Sequence, residues 1–239
     1  MTVTTTGIDV SFWQDDNATP QRIDWPKAKA AGARFAFIRA GQASWLDQDF
    51  TYNWQQSHAA GIPRGAYWYL DHRYDPQAQA ALFWKTVTVA GDHGDLPMVV
   101  DFEHRTPGLT RADAIRRLTT FVEALHLLDP RPPIIYTGPA YWTEFGSTDP
   151  TWKTHPLWIA HYSTVSPTVP APWFTWTFWQ YSNHGDGHAF GMESLGLDMD
   201  RYNNGLGFDV PILTPAAPPP QLTDAEKLNR LWLAHSELH

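Results

Sequence analysis

An apolar run near the middle of the chain ends in two acids, Val99-Val100-Asp101-Phe102-Glu103. In an extended chain, residues i and i+2 face the same side about 6.6–7 Å apart. Packing has no use for two carboxylates there, since both ionised they would repel. Acid–base chemistry does, because one carboxyl can be held protonated while its neighbour stays charged. The bland alternative is that the pair opens a loop as solvated charge, yet the two acids directly terminate a buried type of strand. Asp9, in Gly7-Ile8-Asp9-Val10-Ser11, interrupts another apolar strand at the parity of an inward-facing residue. Asp198, in Leu197-Asp198-Met199-Asp200, repeats the pattern near the end. Any one of these could be a cap or an ion-pair partner. Four acids at strand ends are harder to dismiss, and together they fit acid–base chemistry by paired carboxyls.

The elements that must position these acids alternate strand and helix. Strands are expected near 6–11, 34–40, 64–70, 96–103, 133–138, 157–162, 174–181 and 196–202. Asp24 with Pro26 opens a helix that stops at Gly32. A second helix covers about 49–60 and stops at Gly61. Asp75-Pro76 opens the third, and Thr110 with Asp113 the fourth. This alternation predicts parallel βαβ units in an α/β fold. Runs such as Phe35-Ala36-Phe37-Ile38 are apolar on both faces, as strands under helices should be. Eight mostly parallel strands predict an irregular closed barrel. The later spacers are short or rich in Pro and Gly, so its second half should lack full helices. In such barrels functional residues lie at the carboxyl ends of strands. Closure puts the first and last strands side by side and brings Asp9 and Asp198 toward Asp101 and Glu103.

Composition narrows the chemistry. The net charge is −8 over 239 residues, which argues against a partner that tracks phosphates such as nucleic acid. Cysteine is absent, so thiolate metal sites and a cysteine nucleophile are excluded. Met1 to Ile8 lacks the basic and apolar regions of a secretory signal, and no run is long enough to insert in a membrane. The expectation is a chain made in the cytoplasm. Thirteen Trp, nine Tyr and twelve Phe serve the core first, but flat apolar rings also stack on the C–H faces of sugars. Eleven His include His184-Gly185-Asp186-Gly187-His188, read as a flexible loop rather than a metal site. His72 and His104 flank the acids and are better candidates for substrate contact than for metal. No metal and no cofactor is expected. The barrel is expected over 1–213, a stiff proline-rich linker (TPAAPPPQ) over 214–222, and a C-terminal helix over 223–239. That helix has one apolar face, so it must dock on the barrel or on another copy of the chain.

The segments GIDVSFWQ, IDWPKAKAAGARFAFIRA, AAGIPRGAYWYL, LPMVVDFE, PIIYTG, LWIAHY, TFWQYS and LDMDRYNNG resemble, in order, family-25 glycoside hydrolases, the N-acetylmuramidases (lysozymes) of bacteria and their phages. The likeness runs from about residue 6 to 206. It implies a flattened barrel with an acidic groove at its top, and hydrolysis of the β-1,4 bond between N-acetylmuramic acid and N-acetylglucosamine in peptidoglycan. By the resemblance Glu103 matches the general acid, Asp101 its partner, and Asp9 and Asp198 the flanking acids. Tyr67, Tyr136, Trp158 and Tyr181 match groove-lining aromatics, and Arg39 and Gln180 join them as substrate-binding candidates. The sequence departs from the pattern at Gly41-Gln42, where Glu-Gly is common, and at Asp200-Arg201, where Asn with an apolar residue is common. A phage lysis enzyme is the version that suits a chain without a signal.

The residues leave the mechanism open. In one version the substrate's own 2-acetamido oxygen attacks the anomeric carbon, oriented by Asp101, with net retention. In the other, Asp101 or Asp198 acts as nucleophile or as base toward water. Two other functions fit less well. A carbohydrate-binding protein without catalysis could discard the acids, and all four are present. A chitinase-like enzyme would carry a longer acidic run before Asp101 than Leu96-Pro97-Met98-Val99-Val100.

Overall fold

The computed structural model describes residues 4–204 apart from 16–18, 20 and 163, together with residue 223. The linker expected over 214–222 and the helix expected over 223–239, with its suggested self-association, fall outside the described residues, residue 223 excepted.

The strands are β1 (Thr4–Val10), β2 (Ala36–Gln42), β3 (Trp45–Leu46), β4 (Arg64–Tyr69), β5 (Val99–Asp101), β6 (Ile134–Thr137), β7 (Leu157–Ala160), β8 (Phe178–Asp186) and β9 (Gly196–Asn203). They run in the order β1-β9-β8-β7-β6-β5-β4-β2, and a parallel β1–β2 pairing closes the ring. Eight strands thus form the barrel, and β3 is a two-residue appendage paired with β2 alone. β9 is antiparallel to both its neighbours; the other barrel pairings are parallel.

The helices are α1 (Trp25–Ala31), α2 (Phe50–Ala59), α3 (Pro76–Ala90), α4 (Arg111–His126) and α5 (Pro139–Phe145). Their starts follow the expected cap chemistry. Asp24 accepts from Lys27 N at 3.0 Å, Asp75 from Ala78 N at 2.7 Å, and Thr110 from Asp113 N at 3.1 Å. Gly32 ends α1 at φ 117°, a conformation that favours glycine. Past β6 the outer layer thins to the seven-residue α5 and a short 3-10 turn. No α-helix stands between β7 and β8 among the described residues. None of the described helices is long and apolar enough to cross a membrane.

Alternation along the strands divides the core in two. Ile8, Ile38, Trp68, Val100, Ile135, Ile159 and Trp179 point outward and pack in the larger cluster with residues of the helices. Phe37, Val99, Ile134, Trp158, Phe178 and Tyr202 point inward and fill the barrel. Phe37 stacks on Trp158 at 4.3 Å and meets Phe178 edge-on at 5.0 Å. This aromatic plug is the floor on which the acids sit.

Two sequence expectations need correction. The strand expected over 96–103 is regular only over Val99–Asp101, so Glu103 stands just beyond its end. The segment His184–His188 is not a flexible loop: β8 continues through Asp186, with Gly185 opposite Leu197 and Asp186 opposite Gly196. Its glycines serve close approach. A Cβ on Gly185 would lie 2.6 Å from Met199 Sδ, and one on Gly187 would collide with the Ser194 carbonyl.

Candidate active site

Asp9, Asp101, Glu103 and Asp198 line one cavity of about 420 Å³. Its residues lie largely at the carboxyl ends of the parallel strands. Asp101 is the last residue of β5, and Asp9 near the end of β1 is directly opposite Asp198 on β9. Arg39 on β2, Tyr67 on β4, Tyr136 on β6, Trp158 on β7 and Gln180 on β8 also stand in its wall.

Hydrogen bonds lock this wall. The Tyr136 and Tyr162 hydroxyls donate to Gln180 Oε1 at 2.8 and 2.5 Å, and Gln180 Nε2 donates to Asp9 Oδ2 at 2.7 Å. Two hydroxyls on one amide oxygen leave the amide a single sensible orientation, with its N–H toward the acid. Beneath them Trp158 Nε1 donates to Asp200 Oδ1 at 2.8 Å.

The carboxyls hold their protons more tightly than usual. Burial, then Glu103, raises Asp101 well above the ordinary carboxylate range, opposed by Arg39. Burial and the charge of Asp198 raise Glu103, again opposed by Arg39. Asp198 is pushed up to about 6 by burial. Asp9 is raised by burial and by Asp198 and Asp200. Asp101 Oδ1 is buried and finds no hydrogen-bond partner among the described residues. Such an oxygen is costly to leave bare and well placed to accept from a ligand N–H. The arrangement can supply a proton at mildly acidic pH and hold negative charge beside a developing cation.

The sequence model of glycosyl hydrolases family 25 matches residues 8–188, about three quarters of the chain. The chain belongs to this family. It is therefore a glycoside hydrolase, an enzyme. Lysozyme M1 of Streptomyces globisporus is 33% identical over 211 residues, covering 82% of this chain and 67% of that protein. The bacterial lysozyme of Streptomyces coelicolor superposes with a TM-score of 0.72 at 30% identity, over 83% of this chain and 92% of that one. A muramidase from Trichobolus zukalii gives 0.70 at 27%, over 84% and 95%. The chain thus spans about two thirds of the length of Lysozyme M1.

In this family 25 hydrolase, nine of the ten expected site residues meet at the cavity; Tyr181 does not. Gln180 and Tyr181 are neighbours in one strand, so they point to opposite faces. Tyr181 lies outside, near Trp179 at 5.9 Å and beneath the Arg201 guanidinium at 4.2 Å. His72 and His104 also miss the cavity. His72 is buried against the Tyr141 hydroxyl at 3.0 Å, its pKa depressed to about 4 by burial, and His104 contacts the Tyr69 hydroxyl at 3.2 Å. Among the described residues, no group of three His, Asp or Glu could hold a metal ion.

Sequence reasoning missed Tyr69, Tyr162 and Asp200. Each stands two residues from an inward-facing position, Tyr67, Ala160 and Asp198 respectively, and strand parity was the signal that marks them. Tyr69 and Tyr162 line the cavity. Asp200 is fully buried, and burial raises its pKa well above normal. Its Oδ2 meets no donor from the described side chains. The neighbouring group able to bond it is the Asp9 carboxyl, once one of the two carries a proton. The charge of Asp200 raises Asp9 and both groups are buried, so two bare charges on this pair are disfavoured and one proton between them is the expected state.

Proposed function

We propose that this glycoside hydrolase cuts bacterial peptidoglycan at the β-1,4 bond between N-acetylmuramic acid and N-acetylglucosamine. The observation that carries the reading is the pair Asp101–Glu103 in one cavity, with a bare, buried oxygen on Asp101. Its kinship with proteins named lysozyme and muramidase supports the choice of polymer. The acetamido N–H of the muramic sugar donates to Asp101, which turns the amide oxygen toward its own anomeric carbon. That oxygen forms a bond to the carbon as the bond to the leaving oxygen breaks, and Glu103 gives the leaving oxygen its proton. Water then attacks the cyclic intermediate, losing a proton to the Glu103 carboxylate, and the anomeric configuration is retained. Asp198, charged above about pH 6 and directly opposite Asp9, adds a negative field while the sugar carries positive charge.

Digestion of purified peptidoglycan followed by reducing-end analysis tests the bond. New N-acetylmuramic acid ends are expected; N-acetylglucosamine ends or free amines instead would mean a different cleavage.

The pH profile tests the coupling of the acids. Glu103 must be protonated to act, so activity falls as pH rises through its raised pKa. The Asp198 charge contributes to that elevation. Asp198→Asn should therefore move the alkaline limb of kcat/KM to lower pH, besides lowering the rate. An alkaline limb that stays where it was would detach Asp198 from the proton donor.

A further inference from the structure

A cavity of about 420 Å³ cannot enclose a polysaccharide, so a glycan strand cut there must leave across the rim. Part of that rim is aromatic. Trp13 lines the cavity and yet is 70% exposed, and Trp45 on β3 is 42% exposed. Phe12 touches both, with ring centroids at 4.3 Å from Trp13 and 5.2 Å from Trp45. Single exposed rings are ordinary; adjoining ones that continue a polar cavity mark a binding surface.

Two chain segments hold these rings in place. Ser11 and Gln14 close a capping box around the turn that carries Phe12 and Trp13. Phe12 N donates to Asp47 Oδ2 at 3.0 Å, and Asp47 N donates to Ala40 O at 3.0 Å, which ties that turn to the β2–β3 hairpin. The Arg39 guanidinium lies 5.3 Å from the centre of the Trp45 ring and 5.9 Å from that of Phe12, joining both to the cavity wall. Rings fixed before the ligand arrives lose little freedom on binding.

We propose that Trp13 and Trp45, bridged by Phe12, form a stacking platform for pyranose rings of the strand that passes over the acidic cavity. The platform rests on the proposed glycan substrate and extends it to a specificity element: the enzyme gains affinity from strand length, through sugar units that are not cut. Flat indole faces suit the C–H faces of pyranoses, and a strand held over the carboxylates reaches Trp13 without leaving the cavity.

Steady-state kinetics on peptide-free glycan strands and on a tetrasaccharide tests this, with Trp13→Ala, Trp45→Ala and their double variant. The parent should show a lower KM for strands than for the tetrasaccharide. In the double variant this ratio should collapse by about tenfold, roughly the worth of one well-stacked ring. Trp13→Phe, which keeps a flat ring, should restore part of it. Phe174→Ala, at an exposed ring outside the cavity lining, should leave the ratio as in the parent. Thermal unfolding of each variant separates loss of the platform from loss of the fold. A ratio unmoved in the double variant would overturn the platform. So would an effect confined to strands that still carry peptide stems, which would assign the rings to peptide. Absence of strand cleavage by the parent would instead strike the proposed function.

Discussion

Glu103→Gln should lower peptidoglycan turnover by about 10²–10⁴-fold, the usual worth of a positioned proton donor, while the folded chain still binds glycan strands. Glutamine keeps the shape of the side chain but cannot protonate a leaving oxygen or take a proton from water, so both chemical steps fail at once. The fold should not suffer. Glu103 stands beyond the end of β5, half-buried, and it is raised rather than lowered in pKa, so its charge is not an anchor of the structure. Removing a carboxyl from a crowd of carboxyls also relieves repulsion with Asp101 and Asp198. The expected signature is therefore a collapse in kcat, with strand binding retained and melting temperature equal or higher. A variant that keeps a tenth or more of parental turnover would remove Glu103 from its proposed role. A variant that unfolds would show that the side chain is structural.

How much of this was legible in the sequence depends on which physical signal each residue leaves. Helix starts were plain because capping is local: Asp24, Asp75 and Thr110 each bond an amide three residues on. The barrel followed from alternation and from strands apolar on both faces. The four lining acids were legible because a carboxylate at the end of an apolar strand has no packing rationale. Tyr181 misled because its type suits a groove while its parity does not; beside Gln180 only one of the two can face in. His184–His188 misled because its glycines permit close packing of β8 on β9, a tertiary contact that composition reads as looseness. Asp200 was hidden for a related reason. It lies one layer below Asp198, opposite Gln180 on one side and Gly7 on the other, and only the closed barrel brings it against Asp9 and Trp158.

That buried acid gives a second large effect, on stability. Asp200→Asn should raise stability near pH 7 by about 2 kcal/mol, at the upper end of ordinary stabilising substitutions, or about 4–8 °C in Tm for a chain of this size. Asparagine keeps an oxygen for the Trp158 N–H and offers an N–H toward Asp9, so it reproduces the protonated acid without a proton to lose. The direction follows from linkage. Asp9, Asp101, Glu103, Asp198 and Asp200 all have pKa values raised by folding. Groups raised in this way favour the folded state fully below their unfolded values of about 4. That contribution is lost as pH rises through the folded values, which for Asp198 is about 6. At neutral pH the site thus works against the fold. The gain from Asp200→Asn should then shrink as the pH is lowered and vanish below about pH 4, where the acid is protonated in both states. Asp9→Asn should act through the same repulsion, so the double variant should gain clearly less than the sum of the two. Thermal unfolding of the four proteins at pH 4 and pH 7 reads both expectations. Equal gains at the two pH values, or strict additivity, would mean that Asp9 and Asp200 do not share a proton.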